Sequence, residues 1–328
     1  MKRILLIYIG LLALSGCQEN KHEAGLSPNP ESGAVAHTMA SDTTALSFKS
    51  HKIKTVGILV YEGVNSLDVF GPHYVLGQLM GIERQLIALK PGNIKTVMGV
   101  EIVPNTTIDE VDSLDVLVIP GGFRGTIEAA YDDKVHQWIR KIDKTTTYTA
   151  SVCTGGWILA STGLLKGKKA TTNWYDARNM LDKYGVTFVN ERFTNDGKYW
   201  TSAGVTAGMD MSLALLAEIA GKDYAQGVML DMEYDPQPPF EGGSPEKTKP
   251  AVYDYMNGMY KAGVEAIIEE LEAGGDTAKT VSRVKDPVCH MSIKPDTTMM
   301  ATHAGKTYHF CSSMCQRAFE KKPTAYLE

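Results

Sequence analysis

Thr-Ala-Ser-Val-Cys-Thr-Gly-Gly-Trp, residues 149–157, is the stretch that decides the fold. A β-favouring run ends at Val152, Cys153 follows at once, and Thr-Gly-Gly opens an apolar segment, residues 157–165, that is typical of a helix. The pattern predicts a strand, a sharp turn and a helix N-terminus, with Cys153 on the turn. Because unpaired backbone N–H groups at such an end favour an anion, we expect a lowered thiol pKa and a reactive thiolate. A small buried core cysteine is the alternative.

Strands and helices alternate on both sides of this turn. The alternation predicts a doubly wound, mainly parallel α/β sheet. Predicted strands cover residues 55–61, 84–89, 115–119 and 145–152, with a short strand pair near 186–189 and 199–203. Predicted helices cover residues 73–80, 133–142, 157–165, 209–220 and 251–273, the last being amphipathic.

Three features follow predicted strands and are expected at one edge of the sheet, where α/β proteins collect catalytic groups. They are Asp68, the pair Gly121 and Gly122, and Cys153. Singly, they are typical of a helix N-cap, a turn and a core residue. Together they supply an acid/base, unobstructed backbone N–H donors and a nucleophile, which suits attack on an electrophilic carbon.

The N-terminus has the pattern of a processing signal. Lys2 and Arg3 precede an apolar run, residues 4–14, that is too short to cross a bilayer comfortably. Leu-Ser-Gly-Cys at residues 14–17 resembles the lipobox of bacterial lipoproteins, which implies a signal peptide at 1–16 and lipidation of Cys17. Residues 17–52 are predicted to be a flexible tether. We therefore expect a membrane-anchored lipoprotein of the cell envelope; an ordinary secretory signal with a chance cysteine is the alternative.

Residues 53–275, the body, resemble the ThiJ/PfpI superfamily of the class I glutamine-amidotransferase-like, flavodoxin-like fold. The motifs that carry the resemblance are Leu-Asp-Val-Phe-Gly-Pro at 67–72, Val-Ile-Pro-Gly-Gly at 118–122 and Ser-Val-Cys-Thr-Gly at 151–155. Segments 164–172, 204–210 and 233–245 are similar to its isonitrile hydratase branch. The resemblance implies a small-molecule substrate, no cofactor in the body, and a homodimer.

The resemblance also implies a mechanism. The thiolate of Cys153 adds to the terminal carbon of an isonitrile, and water hydrolyses the thioimidate to an N-substituted formamide. Asp68 shuttles protons, and Thr154 hydrogen-bonds the substrate nitrogen or the attacking water. The N–H groups of Gly122 and Thr154, beside Gly121, favour negative charge nearby.

The chain departs from the superfamily at several positions. Thr154 follows the cysteine where peptidase members have histidine, and no His-x-Glu pair of the amidotransferase kind follows Cys153 in this body. Where the hydratase branch leads us to expect Glu and His, the chain has His73 and Asn173. These two differences either reshape the pocket or are surface and packing changes, and we favour the second interpretation.

Residues 284–328, after a hinge at 276–283, resemble a YHS domain of the TRASH-like class. A domain this small usually needs an additional cross-link to be stable, and a metal ion can provide it. Cys289, Cys311 and Cys315 suit a soft ion such as Zn²⁺ or Cu⁺. The resemblance and this chemistry predict a small metal-binding α+β domain. A disulfide between Cys311 and Cys315 is the competing interpretation. The candidates for a fourth ligand are His290, His303 and His309.

The formal net charge of −5 gives no global basic field, so we expect no nucleic-acid partner. The leading hypothesis is a cysteine-dependent isonitrile hydratase, a hydro-lyase, with an appended metal-binding module. One competing hypothesis is a non-enzymatic envelope protein that binds metal or responds to redox state on the same fold. Another is aldehyde detoxification by the same cysteine.

Overall fold

The computed structural model describes residues 46–273, 284–290, 292–293, 295 and 299–327. The predicted signal peptide, Cys17 and the hinge at 276–283 lie outside these residues, as does most of the predicted tether. Within the described part of the chain, none of the helices combines the length and the apolar character needed to cross a membrane. Lipidation, membrane anchoring and the domain boundaries therefore stay predictions.

A seven-stranded sheet forms the centre of the body. Its order is β10-β11-β7-β6-β1-β2-β5, and only the edge strand β10 runs antiparallel to its neighbour. This arrangement confirms the predicted doubly wound, mainly parallel sheet. The strands of the body are β1 (Thr55–Val60), β2 (Glu83–Ala88), β3 (Ile94–Lys95), β4 (Glu101–Ile102), β5 (Thr106–Thr107), β6 (Val116–Ile119), β7 (Tyr148–Val152), β8 (Lys169–Ala170), β9 (Thr187–Phe188), β10 (Phe193–Asp196) and β11 (Tyr199–Ser202).

Helices cover the sheet because its central strands are apolar and almost fully buried. The helices of the body are α1 (Ser66–Leu76), α2 (Arg124–Ala130), α3 (Asp133–Asp143), α4 (Gly155–Ser161), α5 (Ala177–Asp182), α6 (Ala207–Ala220), α7 (Lys222–Asp231) and α8 (Pro250–Glu272). The long α8 confirms the predicted amphipathic helix at 251–273.

Two sequence predictions about these elements are wrong. Helix α1 begins at Ser66, seven residues before the predicted start, because the Asn65 side chain caps it by accepting from the N–H of Leu67. The predicted strands near 186–189 and 199–203 do not pair with each other. Strand β9 pairs with β8, whereas β11 lies in the main sheet beside β7.

In the described residues, the C-terminal module contains short strand pairs, an α-helix and a 3-10 helix at Pro323–Tyr326. Its elements are β12 (Val284–Lys285), β13 (Ser292–Ile293), β14 (Met300–His303), β15 (Lys306–His309) and α9 (Ser313–Lys321), with β12 pairing β13 and β14 pairing β15. Phe310 and Phe319 are buried at its centre beside Cys311 and Cys315. Apolar residues of α8 pack against this small core, so the module and the body share a packed contact.

Candidate active site and metal centre

Cys153 lies on the predicted turn between β7 and α4. Its backbone adopts the left-handed conformation, with φ of 57°, which is uncommon and costly for a residue other than glycine. The Cys153 N–H donates to the carbonyl of Ser202 at 3.1 Å, which holds the turn against β11. Gly155 makes the turn possible, because a Cβ there would lie 2.0 Å from the carbonyl oxygen of Ile119. The predicted strand, sharp turn and helix are therefore confirmed.

Asp68 lies in the first turn of α1 and is fully buried. Its Oδ2 accepts the backbone N–H of Gly121 at 3.0 Å. Its Oδ1 is buried with no hydrogen-bond partner of normal geometry among the described residues, and the Cys153 thiol interacts with the same carboxyl group. Burial raises the pKa of Asp68 to about 7, so near neutral pH this carboxyl group can both take up and release a proton.

The pKa of Cys153 is raised, which contradicts the prediction of a lowered thiol pKa. Burial is the main cause, because the residue is only 6% exposed, and the neighbouring charge of Asp68 adds to it. The Asn173 amide and the Thr154 N–H donate to the sulfur and act in the opposite direction, but they do not outweigh burial. The resting site is therefore a thiol beside a carboxyl group that can accept its proton.

Gly121, Gly122 and Thr154 lie where the sequence placed them, around the cysteine turn. The N–H of Gly122 donates to Thr154 Oγ1 at 3.0 Å, and that hydroxyl donates to the Gly122 carbonyl at 2.9 Å. Any Cβ on Gly121 would lie 2.5 Å from Thr154 Oγ1 and 2.9 Å from Asp68 Oδ2. In this structure Gly122 and Thr154 therefore bind each other, next to the Gly121 N–H that holds Asp68, and their predicted contacts with the substrate stay predictions.

Asn173 is a site residue that the sequence interpretation treated as a packing change. It is buried, and its Nδ2 donates to Cys153 Sγ at 3.3 Å. Its Oδ1 accepts the N–H of Tyr175 at 3.0 Å, which fixes the amide so that its NH₂ group points at the sulfur. Burial raises the pKa of the nearby Tyr260 on α8, and interaction with Asn173 acts in the opposite direction. The signal in the sequence was Asn173 itself, standing where the branch leads us to expect histidine.

Aromatic side chains surround Tyr260 on the side of the site that α8 covers. The Trp174 ring lies 5.1 Å from the Tyr260 ring, and Tyr175 and Phe123 lie 5.3 Å and 5.6 Å from it. A cavity of about 250 Å³ opens beside Trp174, between α8 and the loop that contains residues 243–248. This surface is apolar and offers no cation among the cavity-lining residues. It suits an uncharged organic group better than an acid.

The three cysteines of the C-terminal module lie together. Cys311 Sγ is 3.4 Å from Cys289 Sγ and 3.6 Å from Cys315 Sγ, which are distances between thiols in contact and not between disulfide-bonded sulfurs. The hydrogen bond to Cys289 and burial raise the pKa of Cys311, and burial raises the pKa of Cys315 to about 11. We call Cys289, Cys311 and Cys315 the sulfur cluster.

Asp286 lies beside the sulfur cluster, and its carboxylate and the three sulfurs lie within 4.8 Å of one another. Although burial opposes it, N–H donation from Cys311 and Val288, each at 2.8 Å, lowers the pKa of Asp286, so the carboxylate stays charged. The Asp286 carboxylate therefore connects the loop that contains Cys289 to the loop that contains Cys311 through hydrogen bonds to the backbone of both. Sequence reasoning missed it because this role depends on a backbone group 25 residues further along the chain.

None of the three predicted histidines joins this group of ligand atoms in the described part of the chain. His290 has φ of 60° and is exposed, and the His303 ring meets Phe319 edge-on at 6.2 Å. His309 lies on β15, opposite Met300. A histidine as fourth ligand therefore stays a prediction, and among the described residues the group beside the three sulfurs is the carboxylate of Asp286.

The sulfur cluster fits a soft metal ion. Three thiols lie within contact distance, with a buried carboxylate beside them, and the pKa values of Cys311 and Cys315 are raised. A soft cation would stabilise the thiolate forms of such a group. The ion would be held by the sulfurs of Cys289, Cys311 and Cys315, with Asp286 fixing the loops. Bound there, the ion would supply the cross-link that a domain of this size lacks.

Comparisons with known proteins agree with the fold of the body and with a separate family match at the C-terminus. Residues 54–218 match the DJ-1/PfpI family, and residues 284–328 match the YHS domain. The chain therefore belongs to the DJ-1/PfpI family and carries a C-terminal YHS domain.

Within this family the chain is similar to isonitrile hydratase of Pseudomonas putida, with 37% identity over 199 residues that span 61% of this chain and 86% of that protein. A solved structure of a ThiJ/PfpI family protein from Pseudomonas syringae matches with a TM-score of 0.66 and 33% identity, covering 74% of this chain and 99% of that one. Deglycase PfpI of Pyrococcus furiosus is 31% identical over 125 residues, which span 38% of this chain and 74% of that protein.

Proposed function

We propose that the body is a cysteine-dependent hydratase that adds water to an isonitrile and releases an N-substituted formamide. The observation that carries this proposal is the buried pair of Cys153 and Asp68, in which a thiol interacts with a carboxyl group whose pKa is about 7. The similarity to isonitrile hydratase supports the substrate class.

In the first step the thiol of Cys153 adds across the terminal carbon of R–N≡C. The carboxylate of Asp68 accepts the thiol proton as sulfur bonds to carbon, and it returns that proton to the same carbon, giving the thioimidate R–N=CH–S. With a pKa of about 7, Asp68 populates both protonation states near neutral pH, so it can accept a proton and return it. Asn173, which donates to the sulfur, stabilises the thiolate as it forms.

In the second step water attacks the thioimidate carbon. Asp68 takes one proton of the water and delivers a proton to the substrate nitrogen, giving R–NH–CH(OH)–S. The carbon–sulfur bond then breaks, the hydroxyl proton returns to sulfur through Asp68, and R–NH–CHO leaves. The net reaction consumes one isonitrile and one water, and it needs no oxidant, reductant or cofactor.

The residues around Cys153 and Asp68 hold these two groups and the substrate in position. Gly121 N–H holds Asp68 Oδ2, so one carboxylate oxygen is fixed, and Oδ1 has no hydrogen-bond partner of normal geometry among the described residues. Thr154 holds the glycine loop through Gly122. The aromatic wall on α8 and Trp174 would receive the uncharged R group.

The test is turnover by the purified chain with alkyl and aryl isonitriles, followed by mass spectrometry of the formamide. We expect product with wild type, none with Cys153→Ala, and a loss of about 10²- to 10⁴-fold with Asp68→Asn. Asp182→Asn, an exposed carboxyl change on α5, is the matched control and should keep wild-type turnover. No formamide from any isonitrile with folded wild type would contradict the proposal. Consumption of an aldehyde instead would support the detoxification hypothesis.

We further propose that the YHS domain binds Zn²⁺ or Cu⁺ and that the protein is a homodimeric lipoprotein of the cell envelope. Metal analysis and light scattering of the purified chain test the first two statements. Membrane fractionation of cells that express wild type or Cys17→Ala tests the third. A wild-type chain that stays out of the membrane fraction would exclude the lipid anchor.

A further inference from the structure

Helix α8 contacts both functional sites. On one side, Tyr255 packs against the core of the C-terminal module, the core that contains Cys311 and Cys315. On another side, the Tyr260 ring packs against Trp174 and Tyr175. These two residues follow Asn173, whose amide donates to Cys153 Sγ at 3.3 Å. The two tyrosines are about 7.5 Å apart along the axis and about 140° apart around it, so they project from different sides of one helix.

The rest of α8 anchors it between these two contacts. Val264 and Ile267 are buried against Trp157 and Ile127, in the apolar cluster that also includes Tyr260. Met259 packs against the core of the module. One continuous helix therefore connects the core of the module with the aromatic cluster next to Asn173 and Cys153.

We propose that the metal centre is a two-domain site, in which Tyr255 of the body donates a hydrogen bond to the Cys315 sulfur, and that metal binding holds α8 and Tyr260 in place over Cys153. A hydrogen bond to a metal-bound thiolate is an outer contact that tunes affinity. If metal binding stabilises the packing of α8 against the module, then this packing must increase the metal affinity by the same factor. The inference concerns access to the cysteine and does not depend on the proposed hydration reaction.

The test measures alkylation of Cys153 by iodoacetamide, peptide by peptide, in the reduced full chain with and without one equivalent of Zn²⁺. We expect zinc to slow alkylation of Cys153 several-fold in wild type. Tyr255→Phe should bind zinc about 10- to 100-fold more weakly in a chelator competition. At zinc levels that load the variant fully, it should show less protection of Cys153 than wild type.

Tyr131→Phe is the matched control. It removes a tyrosine hydroxyl that donates to Glu272 of α8 at 3.3 Å, and we expect it to keep both the zinc affinity and the protection of wild type. The proposal is overturned if wild type binds no zinc, if zinc leaves the alkylation rate of Cys153 unchanged, or if Tyr255→Phe behaves as wild type.

Hydrogen–deuterium exchange of the wild-type chain tests the same link without any substitution. Zinc should slow exchange in peptides from α8, in the half that carries Tyr255 and in the half that packs on the active site. Exchange slowed only within the C-terminal module would overturn the proposal. Because neither measurement uses an isonitrile, a failure here is distinguishable from a failure of the hydratase proposal.

Discussion

Asn173 Nδ2 lies 3.3 Å from Cys153 Sγ and donates a hydrogen bond to it inside a buried site. This donor partly offsets the burial that raises the thiol pKa. Asn173→Ala should therefore slow reaction of Cys153 with iodoacetamide by about tenfold near neutral pH, since one unit of pKa changes the thiolate fraction tenfold.

Asn179→Ala is the control for that substitution, because its amide donates to Asp176 on the surface. It should leave the alkylation rate of Cys153 unchanged. An unchanged rate in Asn173→Ala as well would show that the contact with sulfur has no chemical consequence.

The pH dependence of turnover follows from the two raised pKa values. Below about pH 7 both the Asp68 carboxyl and the Cys153 thiol hold a proton, and no base is present to take the thiol proton. We expect kcat/KM to rise with pH, levelling off above an apparent pKa of about 7. A profile that is flat from about two pH units below that pKa to about one unit above it would exclude Asp68 as the base.

Asp68 should destabilise the folded protein at alkaline pH. Its folded-state pKa is about 7 against an ordinary value of 3.8, so the unfolded chain loses this proton first as pH rises, and stability falls across that window. Asp68→Asn should raise the free energy of unfolding by about 1–4 kcal/mol at pH values above that pKa.

The gain should shrink as the pH is lowered towards the ordinary aspartate value, where both states are protonated. Chemical denaturation at two pH values, one near each limit, measures it. Asp182→Asn should change the stability little at either pH, and equal effects of the two substitutions would contradict the raised pKa.

Asp286 should affect metal binding through backbone geometry. Its carboxylate accepts N–H groups from Val288 and Cys311, so Asp286→Asn removes the charge and turns one acceptor into a donor. We expect zinc affinity to fall by about 10- to 100-fold. Glu320→Gln, an exposed carboxyl change on α9 of the same module, should bind zinc as wild type does. Wild-type zinc affinity in Asp286→Asn would show that zinc binding does not need the charged carboxylate that connects the two loops.

The elements around Cys153 could be predicted because their signals are local. A β-favouring run before Cys153 and Gly155 after it specify the strand and the turn, and the parallel topology brings Asp68 to the same edge. The fold follows from such alternation wherever the strands are long and apolar.

The state of the thiol could not be predicted in the same way. The burial that raises the Cys153 pKa depends on packing around the site, including α8, whose Tyr260 is more than a hundred residues away in the chain. Asn173 and Asp286 act through tertiary contacts, one with a sulfur and one with backbone N–H groups. Neither contact has a signature in local sequence.

The central claim is a covalent step at Cys153, and trapping that intermediate tests it most directly. Wild type and Cys153→Ala are mixed with an isonitrile, quenched in acid at short times, and analysed by peptide mass spectrometry. We predict a transient gain equal to one isonitrile on the peptide that contains Cys153, appearing before the formamide and absent from the variant. Formamide release by Cys153→Ala at the wild-type rate, or an adduct found only on the cysteines of the sulfur cluster, would contradict the account.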